Sequence, residues 1–213
     1  WLPYSLQFSG GVSAADNQLP KEFTSTDKVT YGHYENGTFT GVDEKGHMLR
    51  IESDGNLTVE NLPELNFQNT GASVNDTLWV AENASANIKV GAMNFGTEEK
   101  ALNSDQGVMT TGGKLNINAD TVTGYVTGNA FVAQNWGNTD EDSTTDGTLD
   151  VEANKVDLHG TGSALVAVGL YNNSPDKTTT NTIHATDAVN LQTKSETDNL
   201  AVIQLSDEYI DMN

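Results

Sequence analysis

Along most of this chain, short apolar runs alternate with polar residues at a period of two and are broken by Gly, Asn and Asp. Residues 148–159 show the pattern best. Leu149 and Val151 alternate with Thr148, Asp150 and Glu152, and then Val156 and Leu158 alternate with Lys155, Asp157 and His159. The turn Gly160-Thr161-Gly162 leads into a third apolar run at 163–170. Alternation over four to eight residues between turn formers predicts half-buried strands. No stretch keeps apolar residues at helical spacing for two turns; residues 98–102 have the pattern of a single helical turn.

The runs recur. Thr77-Leu78-Trp79-Val80, Lys114-Leu115-Asn116-Ile117, Thr148-Leu149-Asp150-Val151 and Thr182-Ile183-His184-Ala185 open alike, and Leu78, Leu115, Leu149 and Ile183 are spaced by 37, 34 and 34 residues. A weaker precursor, Leu57/Val59 and Leu65/Phe67, lies upstream. A period of this size marks a stack of identical supersecondary units, because one unit cannot bury its own apolar face. Three strands per unit predict three parallel sheets wound into an all-β solenoid. Leu78, Leu115, Leu149 and Ile183 are then expected in one column, with about five turns rising on the order of 24 Å at the strand spacing. An antiparallel sandwich or barrel also has short, regular strands, but such folds seldom repeat their core pattern every 34 residues.

Residues 1–55 fall outside the repeat and are expected to form a hairpin-rich N-terminal cap, leaving 56–213 as the solenoid. Asn36-Gly37 and Asp54-Gly55 each lie between strand-like runs, which predicts two hairpins with type I′ turns. Residues 9–26 read as loosely structured. Such a cap shields strand edges that would otherwise pair with other chains.

Thirty acidic residues against ten basic ones leave a net charge of −20. That field repels nucleic acid and anionic lipid and favours neutral or basic partners. Cysteine is absent, which excludes disulfides and thiolate metal sites. No apolar run reaches the roughly 18 residues of a membrane span, so the fragment is expected not to be membrane-embedded. Trp1 at the start, without a basic and then apolar leader, predicts a mature or excised piece.

Gly113-Lys114-Leu115-Asn116-Ile117-Asn118-Ala119 and Gly147-Thr148-Leu149-Asp150-Val151-Glu152-Ala153, with the run at 162–169, resemble the passenger region of bacterial autotransporters, particularly repeat-built surface adhesins. The resemblance covers residues 56–213 and rests on the style of the repeat. It implies a right-handed parallel β-helix, export to the bacterial cell surface, and adhesion to host cells, other bacteria or matrix. This unit is longer than a plain β-helix turn, so each coil is expected to carry a protruding loop or an extra strand. Protease members carry Gly-Asp-Ser-Gly; this chain lacks it, and no catalytic residue is carried over.

Candidate chemistry is sparse. His33, His47, His159 and His184 do not fall in register, so a metal pair is disfavoured. Asp140-Glu141-Asp142 with Asp146 is the densest acidic stretch, and oxygen-rich loops of this kind can hold Ca²⁺. Counting from Asp140, the sixth position is Thr145 where an EF-hand needs Gly, and the calcium-binding nonapeptide is missing, so a solvated loop is the favoured reading. Asp150, Glu152 and Asp157 offer carboxylates to an outer face, but Arg50 is the last arginine and lysines are few. Segments 135–147 and 171–181 both link a third strand to the next first strand, so they should emerge on one edge. Trp136, Asp140, Asp142, Tyr171 and Asn172 are the ligand-binding candidates there. The expected function is a non-enzymatic, monomeric adhesin or structural passenger, with a glycan or surface protein as partner and no obligate cofactor. A polysaccharide-acting lyase or glycosidase, or an oligomeric fibre segment, are the alternatives.

Overall fold

The computed structural model describes residues 6–7, 20–25, 28–68, 71, 73–135, 146–162, 168–172, 177–193 and 203–206. Among them there is no helix, and residues 98–100 form a bend instead of the expected helical turn. A cap is built from β1 (Leu6–Gln7), β2 (Phe23–Ser25), β3 (Val29–Tyr31), β4 (His33–Glu35) and β5 (Thr38–Phe39). The solenoid then runs through β6 (Leu49–Ile51), β7 (Asn56–Phe67), β8 (Val74–Val80), β9 (Ser85–Phe95), β10 (Ser104–Thr111) and β11 (Lys114–Val126). It continues through β12 (Asn129–Asn135), β13 (Gly147–Gly160), β14 (Val168–Asn172), β15 (Thr179–Thr193) and β16 (Ile203–Ser206).

Strands β7, β9, β11, β13 and β15 pair in parallel in one sheet, and β6, β8, β10, β12, β14 and β16 in another. The chain alternates between the two sheets and winds as a parallel β-solenoid of about four turns. There are two sheets instead of three because the first and second strands of each unit are one long, bent strand. The bend is visible as a slip of phase. In β11, Leu115, Ile117 and Ala119 face inward, Asp120 and Thr121 both face out, and Val122, Gly124 and Val126 face inward again. Two consecutive outward residues also fall at Gly91-Ala92 and Asn154-Lys155, and β7 turns the same corner with Asn61 at φ 64°. Each turn therefore has three legs, the first two in one sheet and the third in the other.

Register corrects the column expected from the sequence. Leu115 does lie beside Leu149, but Leu149 is followed by Asn181, and Ile183 lies beside Val151. Leu78 is on a third leg, between Leu49 and Val108. The aliphatic columns are Leu57–Ala86–Leu115–Leu149 and Val59–Ile88–Ile117–Val151–Ile183. Steps along the second column are 29, 29, 34 and 32 residues, so the early turns are compact and the later ones carry added loop. The resemblance of Leu78-Trp79-Val80 to a first leg reflects shared sheet chemistry, not shared position.

The two hairpin signals part company. Asn36 and Gly37 both have positive φ, 48° and 83°, and β4 and β5 pair across them with Tyr34 opposite Phe39. At the second signal only Asp54 is left-handed, at φ 66°, and β6 and β7 join different sheets, so no hairpin forms. A type I′ turn needs both central residues at positive φ. A single left-handed residue instead turns the corner between the third leg and the next first leg. Asn83 (φ 56°) and Gly112 (φ 69°) occupy the same corner one and two turns on, and Asn83 Nδ2 donates to Asp54 Oδ1 at 2.6 Å.

The cap covers each leg of the first turn: β2 runs antiparallel to β7 along its first leg, β5 lies beside its second leg, and β3 is antiparallel to β6. Phe23, Tyr31, Tyr34 and Phe39 plug the end of the apolar interior, with ring centroids 4.8–6.5 Å apart. From this plug a phenylalanine stack enters the coil, Phe39 on Phe67 at 5.1 Å and Phe67 on Phe95 at 4.9 Å, within 8° of parallel. The next position in register is Gly124, which has no ring to offer. Phe131 from the third leg meets Phe95 edge-on at 5.5 Å, ending the column. Such ring pairs contribute about 0.5–1.5 kcal/mol each beyond burial. At the other end of the stack β15 is mostly exposed, with Val189 at 47%.

One polar cluster lies beneath the cap. Arg50 is the chain's sole arginine and is 1% exposed. Alternation turns it away from Leu49 and Ile51, and its Nε donates to Asp43 Oδ2 at 2.8 Å and to Thr30 Oγ1 at 2.9 Å. Thr30 Oγ1 donates to the same carboxylate oxygen, and Asp43 Oδ1 accepts from the amides of Lys45 and His47.

Candidate functional site

Parallel in-register stacking places equivalent outward residues in ladders, and the outer face of the second leg holds the richest one. Asn66, Asn94, Thr123, Asp157 and Asn190 follow one another in register across five adjacent strands. Asn94 Nδ2 donates to Asn66 Oδ1 at 2.9 Å, and Asn190 Nδ2 donates to Asp157 Oδ1. Stacked amides suit this spacing because each side chain has both a donor and an acceptor. A similar pair, Asn116 to Asn87 at 3.0 Å, lies on the first leg.

Two residues along the second leg, Tyr125 and His159 stack face to face at 4.2 Å and 8°. His159 Nε2 donates to Asp157 Oδ1 at 2.7 Å, which fixes the imidazole and ties the aromatic pair to the amide ladder. The Tyr125 hydroxyl is held above its ordinary value, first by desolvation and then by the carboxylates of Asp157 and Glu98. On the other side of Tyr125 the preceding strand ends at Phe95, and Gly96 (φ 66°) turns the chain out. A cleft of about 220 Å³ opens there, lined by Asn66, Asn94, Thr97, Glu98, Thr123 and Tyr125 among others.

A second cleft, about 450 Å³, lies at the corner between third and first legs and is lined by Asn83, Ser85, Lys114, Asp146 and Lys177 among others. This is the edge to which segments 135–147 and 171–181 connect. Of the candidates read from the sequence, Trp136, Asp140 and Asp142 lie outside the described residues. Tyr171 and Asn172 end β14, with their backbones paired to Gln134 and Asn135, immediately before Trp136. Trp79 is half-buried on the outer face of the third leg, where His47 stacks on it at 4.8 Å and its Nε1 donates to Thr111 Oγ1.

The histidines are kept apart: His159 pairs with Gln192 and His184 with Glu152. Among the described residues no group of three or more His, Asp or Glu is placed to hold a metal ion. His47 Nδ1 lies 3.8 Å from Asp76 Oδ2 and donates to the Asp76 carbonyl at 2.9 Å, and desolvation by burial lowers the imidazole pKa, which disfavours its charged form. Asp76 itself is pushed up to about 7, by burial first and by Asp105 second.

Sequence reasoning weighed His159 only as a metal ligand and offered neither Tyr125 nor Glu98 as a site residue. A signal was present, since Tyr125 and His159 are one repeat apart at outward phase. No protein-family model, curated protein or solved structure matches this chain.

Proposed function

We propose that this chain is a non-enzymatic scaffold of the bacterial cell surface, of the autotransporter-passenger type, that presents adhesive faces and loops along a β-solenoid. Its partner is a glycan or a surface protein of a host cell or another bacterium, and it acts as an extracellular monomer. The observation that carries this reading is the second-leg face. Its ladder of three amides, one hydroxyl and one carboxylate runs beside a flat aromatic pair, a combination that presents hydrogen bonds and a stacking surface. A net charge of −20 agrees with neutral or basic partners and with solubility outside the cell.

The test is binding of the purified chain to immobilised glycans, matrix proteins and whole bacteria, with sedimentation for the oligomeric state. Retention on at least one of these surfaces is expected, at monomer mass. Release of reducing ends or unsaturated sugars from acidic polysaccharides would replace this reading with the enzymatic one. A stable trimer would favour a fibre segment.

A further inference from the structure

We propose that the cleft beside Tyr125, walled by Asn94, Thr97, Glu98 and Thr123, is a subsite for one pyranose ring of a neutral glycan; the assignment rests on reading the chain as an adhesive scaffold. Size comes first. At about 220 Å³ the cleft is below the range of pockets that enclose drug-sized ligands, and it is open to solvent, so it suits a single ring of a longer chain. Shape follows from register. Register with the preceding turn ends at Gly124 beside Phe95, and Leu102 rejoins beside Val126, so Tyr125 stands where the chain from 96 to 101 has left the sheet. Gly96, at φ 66°, turns the chain out of the strand, and the cleft opens between that exit and the Tyr125 ring, floored by Asn66, Asn94 and Thr123. A sugar ring can lie against the Tyr125 face in such a cleft. His159 already covers one side of Tyr125 at 4.2 Å and holds the ring flat.

The polar groups match hydroxyls. Because Asn94 Nδ2 is committed to Asn66 Oδ1, its Oδ1 remains an acceptor. Thr97 Oγ1 accepts from the Lys100 amide at 3.0 Å, which leaves its hydroxyl proton to donate. Glu98 supplies a strong acceptor. Among the described residues no Lys or Arg lines the cleft, and the chain's net charge is −20, so sulfated and uronate sugars are repelled. A peptide is a poorer fit. Extended peptides add to open strand edges, whereas β9 and β11 are paired on both sides.

Saturation-transfer NMR with cellotetraose, maltotetraose and N-acetylated chitotetraose, and heparin tetrasaccharide as the anionic control, tests this. At least one neutral tetrasaccharide should receive saturation on one ring, and amide shifts should centre on Asn94, Thr97 and Thr123. Tyr125→Ala should weaken that binding by roughly tenfold, the scale of one lost aromatic contact, while Tyr125→Phe retains it. The assignment is overturned if no neutral tetrasaccharide binds, if Tyr125→Ala binds as tightly as the parent, or if heparin displaces the neutral sugar from the same amides. Cell-surface binding measured on the same variants separates the two claims. Adhesion that survives Tyr125→Ala removes this cleft and leaves the scaffold reading, whereas adhesion absent from the parent protein removes both.

Discussion

Replacing Asp43 by Ala tests whether the cap is held by the buried Asp43–Arg50 ion pair. Asp43 and Arg50 side chains are 0% and 1% exposed, with Nε and Oδ2 at 2.8 Å. Removing the carboxylate strands the guanidinium. Its other acidic neighbours, Glu52 at 3.4 Å and Glu44 at 4.0 Å, are 41% and 55% exposed and already shared with water. It also removes the acceptor for the Lys45 and His47 amides, which shapes the loop over Arg50. Breaking one side of a buried pair costs about 3–5 kcal/mol, because an uncompensated charge remains. With a urea dependence of about 3 kcal/mol/M, a loss near 4 kcal/mol lowers the midpoint by about 1.3 M. The partner experiment is Asp43→Asn with Arg50→Met. Asn keeps an acceptor for the loop amides, and Met fills the aliphatic path of the arginine stem. That double variant should recover to within about 1–2 kcal/mol of the parent. Equilibrium urea unfolding followed by circular dichroism reads both, and hydrogen exchange at β3 and β6 shows whether loosening begins at the cap. A midpoint shift below about 0.3 M for Asp43→Ala, or a double variant that loses the sum of the two singles, would show that the pair does not hold the cap.

Phe67→Ala removes the middle ring of the phenylalanine stack from a fully buried position, and a loss of about 3–5 kcal/mol is expected in the same unfolding assay; an effect no larger than that of Thr123→Ala would contradict the packing described. Asp76 binds its proton more tightly folded than unfolded, so its contribution to stability is full below about pH 4, declines as pH rises to about 7, and stays low above that. Asp76→Asn should flatten that decline and be the more stable protein at pH 8, by up to a few kcal/mol; a parallel pair of stability–pH curves would refute it. His47 has the opposite sign, contributing fully above pH 6.5 and less as pH falls through that value, and His47→Gln should remove that component. Gly128→Ala drives a Cβ to within 2.4 Å of backbone atoms at Ser104 and Asp105, so a lowered thermal midpoint is expected, and an unchanged one would mean that this corner is looser than described.

The solenoid was legible because period-two alternation depends only on which face a side chain occupies, and Leu115, Ile117, Leu149 and Val151 mark the same face in each turn. The phase of the repeat was harder to read. Leu78-Trp79-Val80 has the composition of a first leg, and nothing local distinguishes the legs, since all three bury aliphatic residues. Ala86 was too small to announce itself as the true counterpart of Leu115. The corner at Asp54-Gly55 was misread for a related reason: a dipeptide does not say whether one or both residues will be left-handed, and the sheet partners decide it. The Tyr125 cleft needed the register itself, because it forms where the preceding turn leaves the sheet after Phe95 and rejoins it at Leu102.

The paired outward residues at each bend, such as Asp120-Thr121 and Asn154-Lys155, also act as a reading frame for the strand that follows. Deleting one of them would send Val122, Gly124 and Val126, or Val156 and Leu158, to solvent and draw their polar neighbours into the aliphatic interior. Length can change harmlessly only where the chain leaves the ladder, and the longer steps after Ile117 are of that kind. Surface loops on such a coil are thus free to diversify by insertion and deletion, while the legs between them tolerate substitution but not a change in count.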